Sequence, residues 1–304
     1  MQRVAIGLPV YNGEAFVEEA IESILAQTFA DFELIISDNA SNDRTAEICR
    51  RYVSRDERVR YVKQSVNLGA AANHNAVFRL SRSEYFKWAA HDDVLAPTFL
   101  EECVRALDAD PSVVLASPAT TLINEDGSPL LYSAERGGMI DHSGVCWPIT
   151  PEASPNLRSE DPARRFEAIM LNNFMCVEIF GLMRRSALAL TALQGRYAGA
   201  DKVILAQLTL LGPFWLGPEP LLFRRCHPRQ FSSSASGAYR AEWFAGRSSS
   251  MLSQQFKLLL GYCQAMFMTE LTLRQRLTCL RAIYRRAATR GQTWRRLTSA
   301  LVGS

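Results

Sequence analysis

Apolar residues in the first 120 positions gather into short runs, separated by longer stretches in which they return every three or four residues. The runs Val4–Val10, Phe32–Ser37, Val59–Lys63, Tyr85–Trp88 and Val113–Ser117 are rich in β-branched and aromatic residues, which predicts strands. The stretches 14–27, 43–54, 70–81 and 97–109 carry the helical period. Strands alternating with helices predict a mostly parallel sheet flanked on both faces by helices. Ser41-Asn42-Asp43 offers capping oxygens ahead of a helix over Thr45–Val53, and Pro97 suits the first turn of the next helix.

From Leu122 to Ser159 the periodicity dissolves into Gly, Pro, Ser and Asp, with a turn at Asn124-Glu125-Asp126-Gly127. So long a loop is expected to cover a substrate. Beyond it the pattern predicts a helix near Pro162–Leu171, a strand near Ile179–Met183 and helices near 186–193 and 201–211. Gly212-Pro213 stops the last of these, and Phe214–Phe223 reads as one or two strands around Pro218 and Pro220. Ser232–Gly237 is a hinge candidate, after which the chain reads as helical to about residue 290, with Leu273, Leu277, Leu280 and Tyr284 near helical spacing. Three regions follow: residues 1–120, residues 121–232 as the second half of the same domain, and a C-terminal helical appendage over 233–304.

Composition narrows the classes. An apolar share of 48% with 21% charged residues is that of a folded globular chain of 304 residues. A net charge of +3, with no basic run interleaved with aromatics, argues against nucleic acid as a partner. The charge is uneven, because no acidic residue follows Glu270 while eight arginines do, from Arg274 to Arg296. Those helices are either a solvated basic face or candidates for peripheral membrane contact, an acidic partner or a homodimer. Seven cysteines without a C-x-x-C pair fit neither a disulfide framework nor a zinc site, and read as buried small apolar residues in a reducing cytoplasm. The chain opens almost directly on a strand, so no signal peptide is expected. Phe256–Met268, broken by Lys257, is too short to cross a bilayer. The expected location is therefore cytoplasmic, with the inner face of a membrane as the place of any peripheral contact.

In open parallel sheets the ligand lies outside the carboxyl ends of the strands. The polar residues there are Pro9, Tyr11 and Asn12, then Asp38 and Asn39, then Asn67-Leu68-Gly69, then His91-Asp92-Asp93. Gly7-Leu8-Pro9-Val10-Tyr11-Asn12-Gly13 cannot supply a G-x-G-x-x-G approach to a pyrophosphate, and no G-x-x-x-x-G-K-[ST] loop occurs. Two adjacent carboxylates on a turn repel each other unless a cation offsets them. Mg²⁺ or Mn²⁺ takes one or two carboxylates plus phosphates and waters, so Asp92-Asp93 reads as a metal-diphosphate clamp.

These motifs together resemble the family 2 glycosyltransferases. The resemblance rests on Ile6-Gly7-Leu8-Pro9-Val10-Tyr11-Asn12, Gln27-Thr28-Phe29, the run from Glu33 through Asp38-Asn39-Ala40-Ser41-Asn42-Asp43 to Thr45, Asn67-Leu68-Gly69 and His91-Asp92-Asp93. It covers residues 3 to 120 closely and runs more loosely to about 232. It implies a Rossmann-like glycosyltransferase A fold and inverting sugar transfer from a nucleoside-diphosphate sugar, UDP before other bases, to a saccharide or lipid-linked acceptor in polysaccharide or glycoconjugate synthesis. It makes residues 1–120 the nucleotide-sugar-binding half and 121–232 the acceptor-binding half. Pro9, Tyr11 and Glu14 would line the nucleoside pocket, Asp38 would receive the base, and Asn67 and Gly69 would approach the ribose or diphosphate. Asp92 would contact the metal with Asp93 in support. Asp201, at the head of a helix, would be the general base. In the closing segment around Cys226-His227-Pro228, His227 would complete the metal site and Arg225 would contact the diphosphate. The imidazole suits Mn²⁺ better than Mg²⁺. Where many relatives carry a further acidic residue two positions before Asp92, this chain has Ala90.

Each residue also has a plainer reading. Asp38 could cap its turn, Asp92 and Asp93 could cap the helix near Pro97, and Asp201 could simply favour a helix N-terminus. Asn67 and Gly69 could serve a turn, Arg225 could pair with a surface carboxylate, and His227 could be a surface histidine. Asn73, His74 and Asn75 face either the donor or solvent. A sugar-phosphate nucleotidyltransferase is a rival reading, but the loop after the first strand is neither Gly-rich nor basic. Ala90 suggests a second rival, a sugar-nucleotide-binding protein without transferase activity.

Overall fold

The β-rich runs form the strands β1 (Val4–Val10), β2 (Phe32–Asp38), β3 (Val59–Lys63), β4 (Tyr85–Trp88), β5 (Val94–Leu95) and β6 (Leu115–Ile123) in a computed structural model that describes residues 2–148, 154–172, 176–227 and 251–289. Between them lie α1 (Val17–Leu25), α2 (Thr45–Val53), α3 (Ala70–Leu80) and α4 (Phe99–Ala109). Their amphipathic stripes explain why they lie against a sheet: α1, for example, buries Val17, Ala20, Ile21 and Ile24, spaced three and four apart. Three short strands follow, β7 (Leu131–Ser133), β8 (Gly138–Ile140) and β9 (Cys146–Trp147), then α5 (Pro162–Asn172), β10 (Leu182–Arg184), α6 (Arg185–Ala189), α7 (Ala200–Leu211) and β11 (Phe214–Arg225). Two last helices are α8 (Met251–Ala265) and α9 (Leu273–Thr289).

The main sheet has the order β3-β2-β1-β4-β10-β6-β11-β5. The neighbours among β1 to β4 are parallel, and β10 runs antiparallel to both β4 and β6. Strand β11 is parallel to β6, and β5 is antiparallel to β11, so only β10 and β5 are reversed. Side chains alternate between two cores. Val4, Ile6 and Leu8 face α1 and α4, while Ala5, Phe86 and Trp88 face α3, α5 and α7. Gly7 sits in the second set because α3 comes so close: a Cβ there would stand 2.6 Å from Val77 Cγ2 and 2.9 Å from Phe86 Cζ. Full burial of each such aliphatic side chain contributes about 1.5–3 kcal/mol.

Several expectations are corrected. The region 122–159 is not one loop: β6 continues to Ile123, and β7, β8 and β9 form a three-stranded antiparallel sheet. The strand expected at Ile179–Met183 begins later, because Cys176 adopts a left-handed conformation (φ 52) and Val177–Phe180 forms a 3₁₀ turn first. The helix expected over 186–193 is the shorter α6. Phe214–Arg225 is one strand whose register shifts at Pro220 absorb the prolines. Pro97 precedes α4 by two residues, and its carbonyl accepts from Thr28 N. Cys146 is exposed, unlike the buried Cys49, Cys103, Cys176, Cys226 and Cys279. The boundary proposed at residue 120 falls inside β6. The hinge at 232–237 lies outside the described residues. Helices α8 and α9 pack against α7 and α5, and no helix among the described residues is long and apolar enough to cross a membrane.

Candidate active site

Strand β1 ends at Val10 opposite Asp38, so the loops after β1 and β2 leave the sheet side by side. They are laced together. Asn12 N donates to Ser41 Oγ at 2.9 Å, Asn42 N to Asn12 Oδ1 at 3.1 Å, Gly13 N to Thr45 Oγ1 at 2.9 Å and Glu14 N to Asp43 Oδ2 at 3.0 Å. Asp43 also accepts from Thr45 N at 3.0 Å, the capping role expected of that segment, and its carboxyl is held below the ordinary range. There burial works to raise it, and the bonds from Thr45 and Glu14 outweigh that effect.

Of the residues expected in a nucleoside pocket, Pro9 is buried within β1 rather than after it. Tyr11 stands 42% exposed at the strand end. Glu14 is turned to Arg44, accepting from its backbone N at 3.1 Å and Nε at 3.3 Å. Asp38 is fully buried. Its Oδ1 accepts from Ser41 N at 2.8 Å and its Oδ2 from Tyr61 OH at 2.6 Å. In this conformation Asp38 shapes the turn, and neither of its oxygens reaches the surface.

Asn67 extends the same network. Its Oδ1 accepts from Asn39 Nδ2 and from Gly69 N, both at 2.8 Å, while Asn39 Oδ1 accepts from Leu68 N at 2.8 Å. Gly69 caps α3 with φ 80, a backbone that disfavours any side chain. Asn73, read from sequence as facing donor or solvent, does neither: it is buried, donates to Ser37 O at 2.8 Å and accepts from Ser37 Oγ at 2.6 Å. Burial lowers the His74 imidazole to about 4, and its Nδ1 lies 2.9 Å from Ala70 O. Asn75 bonds in both directions with the backbone of Gln194.

Past β4 the acidic turn meets the end of β11. Asp92 Oδ2 lies 3.1 Å from His227 Nε2, and Asp93 Oδ1 accepts from Arg225 N at 3.1 Å. Neither aspartate caps α4. Burial works to raise the Asp92 carboxyl, but His91 and His227 beside it hold it below the usual range. Asp93 is pushed up to about 7, first by burial and then by the charge of Asp92. Among the described residues no group of three or more His, Cys, Asp or Glu side chains surrounds a common point. Asp92 and His227 are therefore the two side chains here that could hold a hard divalent cation, which would need its other positions filled from outside the protein.

Arg225 lies behind the acidic turn. Its side chain is 1% exposed. Nε donates to Asp92 O at 2.9 Å, Nη1 to Asn124 O at 3.1 Å and Glu125 O at 2.6 Å, and Nη2 to Glu19 Oε2 at 2.5 Å. Every guanidinium nitrogen bonds to the protein in this conformation, which lets Arg225 position the acidic turn. The ring of Phe16 lies 5.0 Å from this guanidinium and 4.8 Å from the His227 ring. Glu19 and Phe16 were not singled out from sequence, since an acidic residue in a first helical turn and an apolar residue at a helix start are ordinary in themselves.

Beneath the turn is Lys87, buried on β4, donating to Phe180 O and lying 4.4 Å from the Phe99 ring centre. Burial lowers its ammonium to about 8. Lys87, Asp93, Ala90 and Phe180 line a cavity of about 10 Å³, room for one water. Asp201 lies in the first turn of α7 after Gly199 (φ 86), where its Oδ1 accepts from Lys202 N at 2.8 Å. Burial holds its carboxyl above the ordinary range.

A sequence profile described as Glycosyl transferase family 2 matches residues 5–189. An uncharacterized glycosyltransferase of Rickettsia felis is 34% identical over 131 residues, 42% of this chain and 21% of that protein. Chondroitin synthase of Escherichia coli is 34% identical over 146 residues, 48% of this chain and 20% of that protein. The matched stretch is thus about a fifth of the length of these relatives. Among solved structures, S. aureus TarS 1–349 in complex with UDP-GlcNAc superposes with a TM-score of 0.65 at 15% identity, covering 94% of this chain and 73% of that one. The mannosyltransferase PcManGT of Pyrobaculum calidifontis, in complex with GDP-Man and Mn²⁺, gives 0.57 at 15% identity, covering 99% and 80%. At these identities the likeness is one of fold.

Proposed function

This chain belongs to glycosyl transferase family 2, and from that premise we propose that it transfers a sugar, with inversion, from a nucleoside-diphosphate sugar to a hydroxyl acceptor. The observation that carries the reading is the Asp92–His227 pair at the carboxyl end of β4, fastened from behind by Arg225. Residues 1–120 serve the donor, 121–232 the acceptor, and 233–304 form the helical region. The acceptor is a saccharide or a lipid-linked glycan in polysaccharide or glycoconjugate synthesis, and the work is cytoplasmic.

In this reading the loops after β1 and β2 hold the nucleoside with Tyr11 at the open edge, and Asn67 and Gly69 fix the start of α3 beside it. A divalent cation, Mn²⁺ or Mg²⁺, held by Asp92 and His227 would offset the charge of the departing diphosphate. Asp93 holds the turn through Arg225 N. Asp201 removes the acceptor proton as the sugar is transferred, a task suited to a carboxyl whose affinity for protons is raised by burial. Ala90, in place of a further carboxylate, favours one second reading: a sugar-nucleotide-binding protein without turnover.

The test is a thermal-shift panel of UDP-, GDP-, dTDP- and CMP-sugars with and without Mn²⁺, followed by donor turnover. A ligand that binds the native state alone raises the melting temperature, so a base-selective, Mn²⁺-dependent shift is expected, with UDP giving the largest. No shift with any nucleotide overturns the donor assignment. A shift without turnover on any hydroxyl acceptor favours the binding-only reading.

A further inference from the structure

The exposed apolar side chains of this protein are not spread evenly. Of the large hydrophobic residues left in solvent, Phe256, Leu260, Phe267, Leu273, Leu277, Leu280 and Tyr284 all fall within α8, α9 and the turn between them. On α9 the arrangement is ordered. Cys279, Ala282 and Ile283 are buried toward α5, while Leu273, Leu277, Leu280 and Tyr284 stand 74, 45, 45 and 65% exposed. At 3.6 residues per turn these four, spaced four, three and four apart, form one stripe along the side of α9 turned away from the core. Arg274, Arg281 and Arg285 repeat at seven and four, and so run in a parallel row about a quarter turn from it. Arg276 borders the other side and lies 5.5 Å from the ring of Phe267. Arg285 also pairs with Glu167 at 3.1 Å, and both side chains of that pair remain solvent-accessible.

We propose that this face of α9 docks the protein on an anionic lipid surface. A helix that lies in a bilayer interface needs an apolar stripe bordered by basic residues, with its other side free to face protein or water. Here the core-facing side is used by α5, and among the described residues the stripe stands exposed. Charge chooses the occupant. Along α9 no acidic residue follows Glu270, and Glu167 of α5 is paired with Arg285, so a second copy laid stripe to stripe would bring Arg274 and Arg281 together with no carboxylate among the described residues bonded to either. Anionic headgroups supply that charge, and the leucines and Tyr284 enter below them. The docking is peripheral, since α9 is too short and too basic to span. This inference stands on α9 alone and does not depend on the transferase reading, although a lipid-linked acceptor would give it a purpose.

The experiment is co-sedimentation of the full chain with vesicles of phosphatidylcholine alone and of phosphatidylcholine mixed with phosphatidylglycerol, at low and high salt. The chain is expected to pellet with the mixed vesicles, to stay in solution with the neutral ones, and to be released by salt. Arg274→Gln with Arg281→Gln should lower the partition coefficient by about five-fold per charge removed. Leu277→Ser with Leu280→Ser should abolish pelleting. Both pairs are exposed, and an unchanged melting temperature certifies the fold of each variant. Equal pelleting of wild type and both variants overturns the proposal, as does a wild-type chain that stays in solution with mixed vesicles. A stable dimer, dissolved by the leucine substitutions and indifferent to lipid, overturns it in favour of a second copy. A nucleotide-induced thermal shift measured on the same samples reports on the transferase reading separately, so one can fail while the other stands.

Discussion

His227 Nε2 stands 3.1 Å from Asp92 Oδ2 although 135 residues separate them in the chain, because β11 runs parallel to β6 and ends beside the acidic turn. A pair assembled from two distant segments has no reason to form for the sake of either one alone. If it is the cation site, Asp92→Ala and His227→Ala should each abolish the Mn²⁺-dependent part of the nucleotide thermal shift and lower kcat by about 10²–10³-fold. His227→Ala leaves Asp93 and its bond from Arg225 intact, so that variant separates loss of a ligand from collapse of the turn.

Arg225 offers a stability test. It is buried and joins α1, the acidic turn and the Asn124–Glu125 turn through one guanidinium. Arg225→Met removes all of these donors and leaves the carbonyls of Asp92, Asn124 and Glu125 without their donor. Breaking a buried charged network costs about 3–5 kcal/mol, and the half-exposed Glu19 places the expected loss near the lower figure. Denaturant unfolding measures it. Arg225→Lys should recover little, since an ammonium cannot reproduce the planar fork.

The limits of β1 and β4 were legible because central parallel strands, buried on both faces, read as mostly apolar runs bounded by polar turns. Strands β7 to β9 were not, since Leu131 and Tyr132 point to solvent and the strands are only two or three residues long. Asp92-Asp93 announced itself because adjacent carboxylates need a reason. Its supports did not: Glu19 favours a helix N-terminus and Phe16 packs at a helix start whether or not a site lies beside them. Asp38 is the converse case: a polar residue at a strand end was legible, but its full satisfaction by Ser41 N and Tyr61 OH depends on the register of β2 against β3.

That satisfaction is itself testable. Tyr61→Phe deletes the 2.6 Å bond to a carboxylate with no access to water. A buried acceptor left unpaired costs about 1–3 kcal/mol, so unfolding should shift by that much while the Mn²⁺ dependence of any nucleotide shift is kept. A loss below a few tenths of a kcal/mol would mean that Lys63, 4.0 Å away, takes over.

Asp201 links activity to pH. Burial holds its carboxyl above the ordinary range, so the acid limb of kcat/KM should fall above the usual carboxylate region. Asp201→Asn should lower kcat by about 10²–10⁴-fold and erase that limb, with the nucleotide shift unchanged. The stability sign is fixed as well. The native state holds this proton more tightly than the unfolded one, so the contribution is fully present at acid pH and is lost as pH rises through the raised folded value. The asparagine variant should lack that fall. Full turnover in Asp201→Asn would remove it from the role of base.

Lys87 should show the opposite sign in the alkaline range. Burial lowers its ammonium from 10.5 to about 8, so between these values the native state carries fewer protons at this site than the unfolded one. Its contribution to stability is then complete above the unfolded value and is lost as pH falls through about 8. Lys87→Met keeps the length of the side chain and removes the titration. The variant should lack the rise in unfolding free energy that Lys87 gives between about pH 8 and 10. Tyr52, Tyr61 and Tyr85, all raised by burial, weaken the fold as pH climbs further, but they are common to both proteins and cancel in the difference. A wild type and variant with parallel pH profiles would mean that Lys87 is charged in the fold throughout. Its bond to Phe180 O and its contact with the Phe99 ring would then hold the ammonium more tightly than burial expels it.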